Sequence, residues 1–245
     1  MDKSQKGGKG CGARHASAVI AAAGKGTRMR MDVNKQYIEV QGIPVLALTL
    51  RKFEECSLID EIVVVANKDE IDYCKKNIID RFGFRKIRKV TAGGDSRQRS
   101  VYNGLNEVSP DSNIVLIHDG ARPFFNNESI ISCIDAADSY GAACVAVPVK
   151  DTVKLADQDG FVGRTIDRNG LWQIQTPQAF EYGLIIDAHR KAEADSYMGT
   201  DDAMLAERAG HRVKIVMGGY YNIKITTTED LVFAEAICSL KGKEI

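Results

Sequence analysis

Short apolar runs alternate with amphipathic stretches along most of this chain, and that alternation predicts its secondary structure. The runs predict buried strands at Ser17–Ala23, Glu61–Ala66, Ile87–Thr91, Asn113–His118 and Ala142–Val147. Between them, apolar residues fall at helical spacing, as Leu46, Leu50 and Phe53 do. Strands that alternate with helices predict an α/β fold, a Rossmann-like and mostly parallel sheet with helices on both faces.

The alternation is interrupted at residues 149–172, where polar residues predominate. Asp159-Gly160 and Asn169-Gly170 are typical turn pairs, so this segment predicts a β-arm that protrudes from the main body. Regular patterns return as predicted helices at Glu181–Ala194, at Asp201–Ala209 and from Thr228, with a strand at Arg212–Val216. Residues 1–16, rich in Gly and Lys, are predicted to be a flexible extension, and residues 17–245 a single domain.

The composition excludes several classes of protein. With 44% hydrophobic and 27% charged residues, the 245-residue chain is typical of a globular protein. Its 33 basic and 33 acidic side chains leave no net charge, so we expect no nucleic-acid partner. No apolar run approaches the roughly 18 residues of a membrane span, so we expect no membrane association. Six scattered cysteines without a C-x-x-C pair predict reduced thiols and a cytoplasmic protein.

The first predicted strand ends in the glycine-rich sequence AAAGKGTRM. In sheets of this kind, ligands bind outside the carboxyl ends of the strands. Small residues let backbone N–H groups approach an anion, and Lys25, Arg28 and Lys35 add positive charge. A dinucleotide fingerprint would need glycine at Met29, and a P-loop would need Ser or Thr at Gly26, so neither motif is present. A phosphate-binding loop and an ordinary strand–helix turn remain as two interpretations.

Two later strand ends carry further polar groups. In AGGDSRQRSV, after the third strand, the sequence slightly favours a structural role in which Asp95 or Ser96 caps the next helix. In HDGARPF, after the fourth, Asp119 is suited to hold a magnesium ion that bridges phosphates, and Arg122 lies within reach of an anion. A turn aspartate is the alternative, but Asp, Gly and Arg after a buried strand favour function. His118 is expected to be packed or hydrogen-bonded and not a base.

Four more polar segments lie between predicted elements: DTVK at 151–154, DRNGLWQIQTPQ at 167–178, TDDA at 200–203 and NIKIT at 222–226. Lys224 stands between two isoleucines in an extended segment, so its side chain projects away from theirs. Taken alone, it would be an ordinary surface lysine.

Taken in order, these motifs closely resemble the 2-C-methyl-D-erythritol 4-phosphate cytidylyltransferase family, which acts in the non-mevalonate isoprenoid pathway. The resemblance runs from about Ser17 to about Leu240. It implies a fold of the nucleotide-diphospho-sugar transferase type and a Mg²⁺-dependent nucleotidyltransferase. The enzyme would transfer a cytidylyl group from CTP to methylerythritol phosphate and release pyrophosphate. It further implies a homodimer in which the arms at about 149–172 are exchanged.

The resemblance also implies roles for individual residues, matched motif by motif. Catalytic positive charge is implied for Arg28, Lys35 and Lys224, and Mg²⁺ binding for Asp119. CTP binding is implied for Ala22, Ala23, Gly24, Lys25, Gly26, Gly94, Asp95 and Ser100. Binding of the methylerythritol phosphate is implied for Arg122, Thr152, Arg168, Thr176 and Thr200. Thr152 and Arg168 belong to the arm, so they are expected to serve the site of the partner subunit.

Two alternative functions stay open at this point. Ribitol 5-phosphate cytidylyltransferase uses the same scaffold, although DRNGLW before QTPQ and the alanine before Arg122 favour methylerythritol phosphate. A non-catalytic nucleotide-binding regulator would not need the full set of charged residues. The chain departs from the family pattern at Gly120, where alanine is expected, and at Thr228, where proline is frequent. Neither departure affects a charged position.

Overall fold

A seven-stranded sheet organises the protein, whose structure is a computed structural model that describes residues 15–24 and 34–241. The strands are β1 (Ala16–Ala22), β2 (Glu39–Val40), β3 (Ile43–Pro44), β4 (Glu61–Ala66), β5 (Ile87–Ala92), β6 (Ile114–Asp119), β7 (Ala142–Pro148), β8 (Val153–Ala156), β9 (Val162–Ile166), β10 (Trp172–Glu181) and β11 (Lys214–Met217). In the sheet they are ordered β11-β7-β10-β6-β1-β4-β5. All neighbouring pairs are parallel except the two that involve β10.

Helices cover both faces of this sheet. They are α1 (Val45–Glu55), α2 (Ile71–Cys74) with a π-helical continuation at Lys75–Asp80, α3 (Arg97–Leu105), α4 (Asn127–Tyr140), α5 (Tyr182–Ala194), α6 (Asp202–Arg208) and α7 (Thr228–Lys241). Ile20 of β1 packs in the core formed with α1, α2 and α4, whereas its neighbour Val19 packs in the core formed with α3, α5 and α6. This alternation follows from the two-residue period of a strand. None of the described helices has the length and apolar composition to cross a membrane.

The predicted mostly parallel α/β sheet is therefore confirmed, with many element boundaries within one or two residues. Residues 173–178 were predicted to lie between elements, and this prediction is wrong, because they belong to β10. The strand was missed because its buried residues include Gln175, Thr176 and Gln178, and because Pro177 interrupts the pattern. Its pairing with β7 shifts register between Ile174 and Gln178, an irregularity at which proline is tolerated.

The arm is a separate antiparallel hairpin formed by β8 and β9. It leaves the sheet after β7 and returns into β10, where Trp172 pairs with Pro148. Several of its apolar side chains face solvent, among them Phe161 at 72% exposure and Val162 at 63%. The predicted protruding β-arm is thus present, and its apolar tip is available for contact with another molecule.

Gly104 lies in α3 where the helix packs closely against β1 and β4. A Cβ atom added there would lie 2.6 Å from methyl groups of both Val19 and Val65. We expect Gly104→Ala to lower the free energy of unfolding by about 1–3 kcal/mol, because overpacking displaces the helix. Gly183→Ala in α5 is the matched control, since nothing lies within 4 Å of the added atom. That variant should be neutral or more stable by up to about 1 kcal/mol. Urea unfolding measures both, and equal stability of the two variants would contradict the packing argument.

Candidate active site

A cavity of about 950 Å³ opens at the carboxyl ends of β1, β4, β5 and β6. Its walls come from Ala21–Gly24, Gln36, Asn67, Lys68, Gly93–Arg97, Ser100, Asp119, Ala121 and Lys224. In a mostly parallel sheet these strand ends meet at one edge, so loops that are distant in sequence converge there. The structure brings together the candidate positions that follow β1, β5 and β6, whereas the end of β7 leads into the arm.

Asp119 lines this cavity and is 6% exposed. Its Oδ1 atom accepts a hydrogen bond from Nε of Arg97 at 3.1 Å. Its Oδ2 atom lies 3.3 Å from Nε of Arg122 and 2.8 Å from Nζ of Lys224. One buried carboxylate therefore holds three cationic side chains that come from three different parts of the chain.

The electrostatics of Asp119 follow from these partners. Burial by itself raises the pKa of the carboxyl group, but the charges of Arg97, Lys224 and Arg122 outweigh it and hold the pKa well below its usual range. Asp119 is therefore ionised at neutral pH. Lys224 is not the isolated surface lysine expected from its immediate sequence, because it is one of the three cations on this carboxylate.

Arg97 is the functional candidate that sequence reasoning missed. Its NH1 group donates to Oδ2 of Asp202 at 2.8 Å, so the guanidinium bridges Asp119 and Asp202. The other oxygen of Asp202 lies 3.2 Å from Nε2 of the buried His189. Burial lowers the pKa of Arg97, but Asp202 and Asp119 together raise it above its ordinary value. The sequence did offer one signal for Arg97, because this residue lies in the first turn of the helix that follows β5.

A ring of hydrogen bonds holds the backbone of Asp119 in place. Arg122 donates to the backbone carbonyl of Asn222 at 2.9 Å, and the Asn222 side-chain amide donates to the carbonyl of Thr176 at 2.9 Å. The Thr176 hydroxyl in turn accepts from the backbone N–H of Asp119 at 3.1 Å. Thr176 is buried and Asn222 lies two residues before Lys224, so this ring fixes β10 and the Lys224 segment against the end of β6.

The glycine-rich loop is described only in part. Ala22, Ala23 and Gly24 line the cavity. Much of the predicted phosphate binding falls on residues that the structure does not describe, namely Lys25, Gly26 and Arg28. Lys35 begins a short 3₁₀ helix, Lys35–Tyr37, and its side chain also lies outside what the structure describes.

The turn after β5 is held tightly in place. Ser96 caps α3 by accepting from the Arg99 N–H at 3.0 Å, as one of the two predicted capping residues. The Ser100 hydroxyl donates to the carbonyl of Ser96 and accepts from the N–H of Gly94 at 3.0 Å. A Cβ atom on Gly93 would fall 2.3 Å from that of Ala23, so only glycine allows this approach of the two loops. Gly94 and Ser100 therefore shape the turn, and both line the cavity together with Asp95.

Three further predicted residues, Thr152, Arg168 and Thr200, are exposed. Thr152 is exposed on the arm, and the Arg168 guanidinium donates to the carbonyl of Lys150 at the base of the arm. Within the described residues, no hydrogen bond or ion pair joins either of them to the Asp119 group. Thr200 is also exposed, with its hydroxyl 3.5 Å from the sulfur of Met204.

His118 is packed and hydrogen-bonded, as predicted. Its ring is buried, its Nε2 atom lies 3.0 Å from the carbonyl oxygen of Arg122, and burial lowers its pKa to about 3. The described residues also contain no group of three His, Cys, Asp or Glu side chains that could hold a metal ion. An ion bound at Asp119 would therefore take most of its ligands from a substrate and from water.

Comparison with known proteins gives consistent matches. The model of the family IspD, described as 2-C-methyl-D-erythritol 4-phosphate cytidylyltransferase, matches residues 16–239. A relative with that name from Caldanaerobacter subterraneus subsp. tengcongensis is 52% identical over 219 residues, 89% of this chain and 96% of the relative. One from Geobacter metallireducens is 48% identical over 227 residues, 91% of this chain and 97% of the relative.

Solved structures agree with these matches. The crystal structure of 4-diphosphocytidyl-2C-methyl-D-erythritol synthase from Anaerococcus prevotii superposes with a TM-score of 0.82 and 40% identity, covering 92% of this chain and 96% of that one. That of 2-C-methyl-D-erythritol 4-phosphate cytidylyltransferase from Thermus thermophilus gives a TM-score of 0.75 and 30% identity, covering 92% and 99%.

The lowered pKa of Asp119 makes stability depend on pH. Because the unfolded chain takes up this proton at about pH 4 and the folded chain only at lower pH, the stabilisation is present above that range and is lost as pH falls through it. We expect the free energy of unfolding to fall more steeply below about pH 5 in the wild type than in Asp119→Asn. Some slope should remain in the variant, since the pKa of Asp202 is lowered as well. Urea unfolding at several pH values measures this, and identical slopes would contradict it.

Proposed function

The chain belongs to the 2-C-methyl-D-erythritol 4-phosphate cytidylyltransferase family, and from that premise we propose that the cavity around Asp119 is its active site. The protein transfers a cytidylyl group from CTP to 2-C-methyl-D-erythritol 4-phosphate. The products are 4-diphosphocytidyl-2-C-methyl-D-erythritol and pyrophosphate, in the non-mevalonate isoprenoid pathway. The comparisons support neither ribitol 5-phosphate as acceptor nor a non-catalytic regulator. The observation that carries the site assignment is one buried carboxylate that gathers three cations, of which Arg97 and Lys224 line the cavity.

The chemistry requires positive charge more than proton transfer. The attacking group is a phosphate monoester, whose second pKa is near 6, so it is largely dianionic at neutral pH and needs no general base. A buried neutral His118 agrees with that requirement. The barrier arises because one anion must approach the α-phosphate of a polyanion. We propose that Arg28, Lys35 and Lys224 lower this barrier by stabilising the charge that develops in the transition state.

The two substrates would occupy different parts of the site. The backbone of residues 22–26 would hold the triphosphate, with Gly94, Asp95 and Ser100 against the cytosine. The closely packed turn at Gly94, which lines the cavity, supports this assignment. Arg122 and Thr176, beside and beneath Asp119, would hold the acceptor phosphate together with Thr200. Arg97 would keep Asp119 oriented from the opposite side.

The arm would complete the site of a second subunit. Thr152 and Arg168 are assigned to the acceptor, yet within the described chain they make no bond to the Asp119 group. Exposed Phe161 and Val162 at the arm give it an apolar surface that suits contact with another protomer. We therefore propose a homodimer in which each arm reaches the active site of its partner. A cytoplasmic location is also proposed, since the five cysteines among the described residues are buried.

We propose that Asp119 binds a magnesium ion. The carboxylate is ionised, and a lone carboxylate combined with substrate phosphates and water is the ligand set that Mg²⁺ usually takes in nucleotide sites. A bound Mg²⁺ would neutralise phosphate charge and orient the triphosphate. Asp119 would be its protein ligand, while Arg97, Arg122 and Lys224 would keep that carboxylate in place.

The proposed reaction and its metal can be tested together. We expect pyrophosphate release from CTP with methylerythritol phosphate and Mg²⁺, and loss of that release with excess EDTA and recovery on adding Mg²⁺. Ribitol 5-phosphate is the matched control acceptor and should give little release. Turnover that is equal with both acceptors would overturn the substrate assignment, and turnover in metal-free buffer would overturn the role of Mg²⁺.

Arm exchange predicts that two inactive variants restore each other. Lys35→Ala should lose on the order of 10²–10³ in kcat, by analogy with removal of an oxyanion-hole donor. Arg168→Ala should impair use of methylerythritol phosphate while CTP binding is kept. If arms are exchanged, a heterodimer of the two variants has one intact site. An equal mixture of fully exchanging subunits should therefore recover roughly a quarter of wild-type activity.

Subunit exchange in this mixture should be verified by a tag carried on one variant only. Recovery with verified exchange supports a site shared between subunits. No recovery, despite verified heterodimers, would show that each protomer uses its own arm.

A further inference from the structure

The residues on either side of Lys35 both donate to one carboxylate. The side-chain amide of Asn34 donates to Oε1 of Glu70, and that of Gln36 donates to Oε2 of Glu70 at 3.4 Å. Each carboxylate oxygen thus serves one neighbour of Lys35. Glu70 is separated from this segment by more than 30 residues, so the contact exists only in the folded protein.

The short helix Lys35–Tyr37 is held from a second side by burial. Gln36 is 1% exposed and Tyr37 is 6% exposed. The ring of Tyr37 packs edge-on against Tyr73 of α2, with centroids 4.8 Å apart. A single helical turn has little stability of its own, so its position depends on such contacts.

Glu70 is itself placed by the loop that follows β4. It ends the 3₁₀ helix Lys68–Glu70, and its N–H donates to the carbonyl of Asn67 at 2.9 Å. The Asn67 side chain caps this helix by accepting from the N–H of Asp69 at 3.2 Å. Asn67 and Lys68 line the active-site cavity, as does Gln36. Glu70 therefore joins two walls of that cavity.

We propose that Glu70 is a positioning residue for Lys35, because it fixes the backbone of Lys35 relative to the site through both of its sequence neighbours. This inference rests on the proposed role of Lys35 in stabilising the transition state. A cation acts on the transition state only from the correct position, and a displacement of about 1 Å can cost as much as 10²-fold in rate. A carboxylate suits the task because it has two acceptor oxygens, whereas a carboxamide has one.

The test compares Glu70→Ala, Glu70→Gln and the control Asp72→Ala by steady-state kinetics with CTP and methylerythritol phosphate. Asp72 is exposed in α2, two residues from Glu70, and its loss changes net charge equally. We expect kcat to fall about tenfold in Glu70→Ala, because Lys35 is displaced. We expect a smaller fall in Glu70→Gln, which keeps one acceptor, and a kcat within about twofold of wild type in Asp72→Ala. KM for methylerythritol phosphate should stay unchanged in all three variants. The thermal midpoint should fall in Glu70→Ala alone, because the buried Gln36 amide loses its acceptor.

A double-mutant cycle shows whether Glu70 acts through Lys35. In a Lys35→Ala background, Glu70→Ala should cause no further loss of kcat, because the group that it positions is absent. An equal, additive loss in that background would overturn the proposal, and so would wild-type kcat in Glu70→Ala. If Lys35→Ala itself keeps wild-type kcat, the proposed role of Lys35 is wrong and the inference fails with it. A damaged Lys35→Ala beside an unaffected Glu70→Ala would overturn only the role of Glu70.

Discussion

The site depends on the charge balance at one buried carboxylate. Asp119 is nearly inaccessible to water, and burial alone would favour its neutral form. Arg97, Arg122 and Lys224 reverse that preference and are held by it in turn. Without the carboxylate, three cations would repel one another at the mouth of the cavity. In the proposed function the same cations would face a triphosphate and a sugar phosphate, so the interaction that orders the site would also prepare it for two anions.

The sheet makes this charge balance possible. Asp119 ends β6, Arg97 begins the helix that follows β5, and Lys224 follows β11. β10 runs antiparallel between β6 and β7 and brings Thr176 beneath Asp119. Its polar residues can be buried because their side chains form hydrogen bonds with neighbouring segments, which are thereby held in place. β10, the strand that runs antiparallel to both of its neighbours, is thus the one that supports the site.

The same topology divides the proposed site between the loops of the central sheet and the projecting arm. The loops that line the cavity are joined to one another by hydrogen bonds and by close packing, as between Gly93 and Ala23. The arm instead forms its own two-stranded hairpin and contributes no bond to the Asp119 group within the described chain. In the proposed function, nucleotide binding belongs to the central sheet, and completion of the acceptor site belongs to the arm of a second subunit.

The sequence by itself determined the alternation of strands and helices, because burial on a sheet or a helix imposes its own period on the hydrophobic residues. It also indicated Asp119 and Arg122, which directly follow a buried strand. The tertiary structure decided what local pattern does not contain. The polar strand β10, the bridging role of Arg97 and the pairing of Lys224 depend on contacts between residues far apart in the chain. Such contacts form only when the strand ends meet at one edge, and no periodicity within a single segment specifies them.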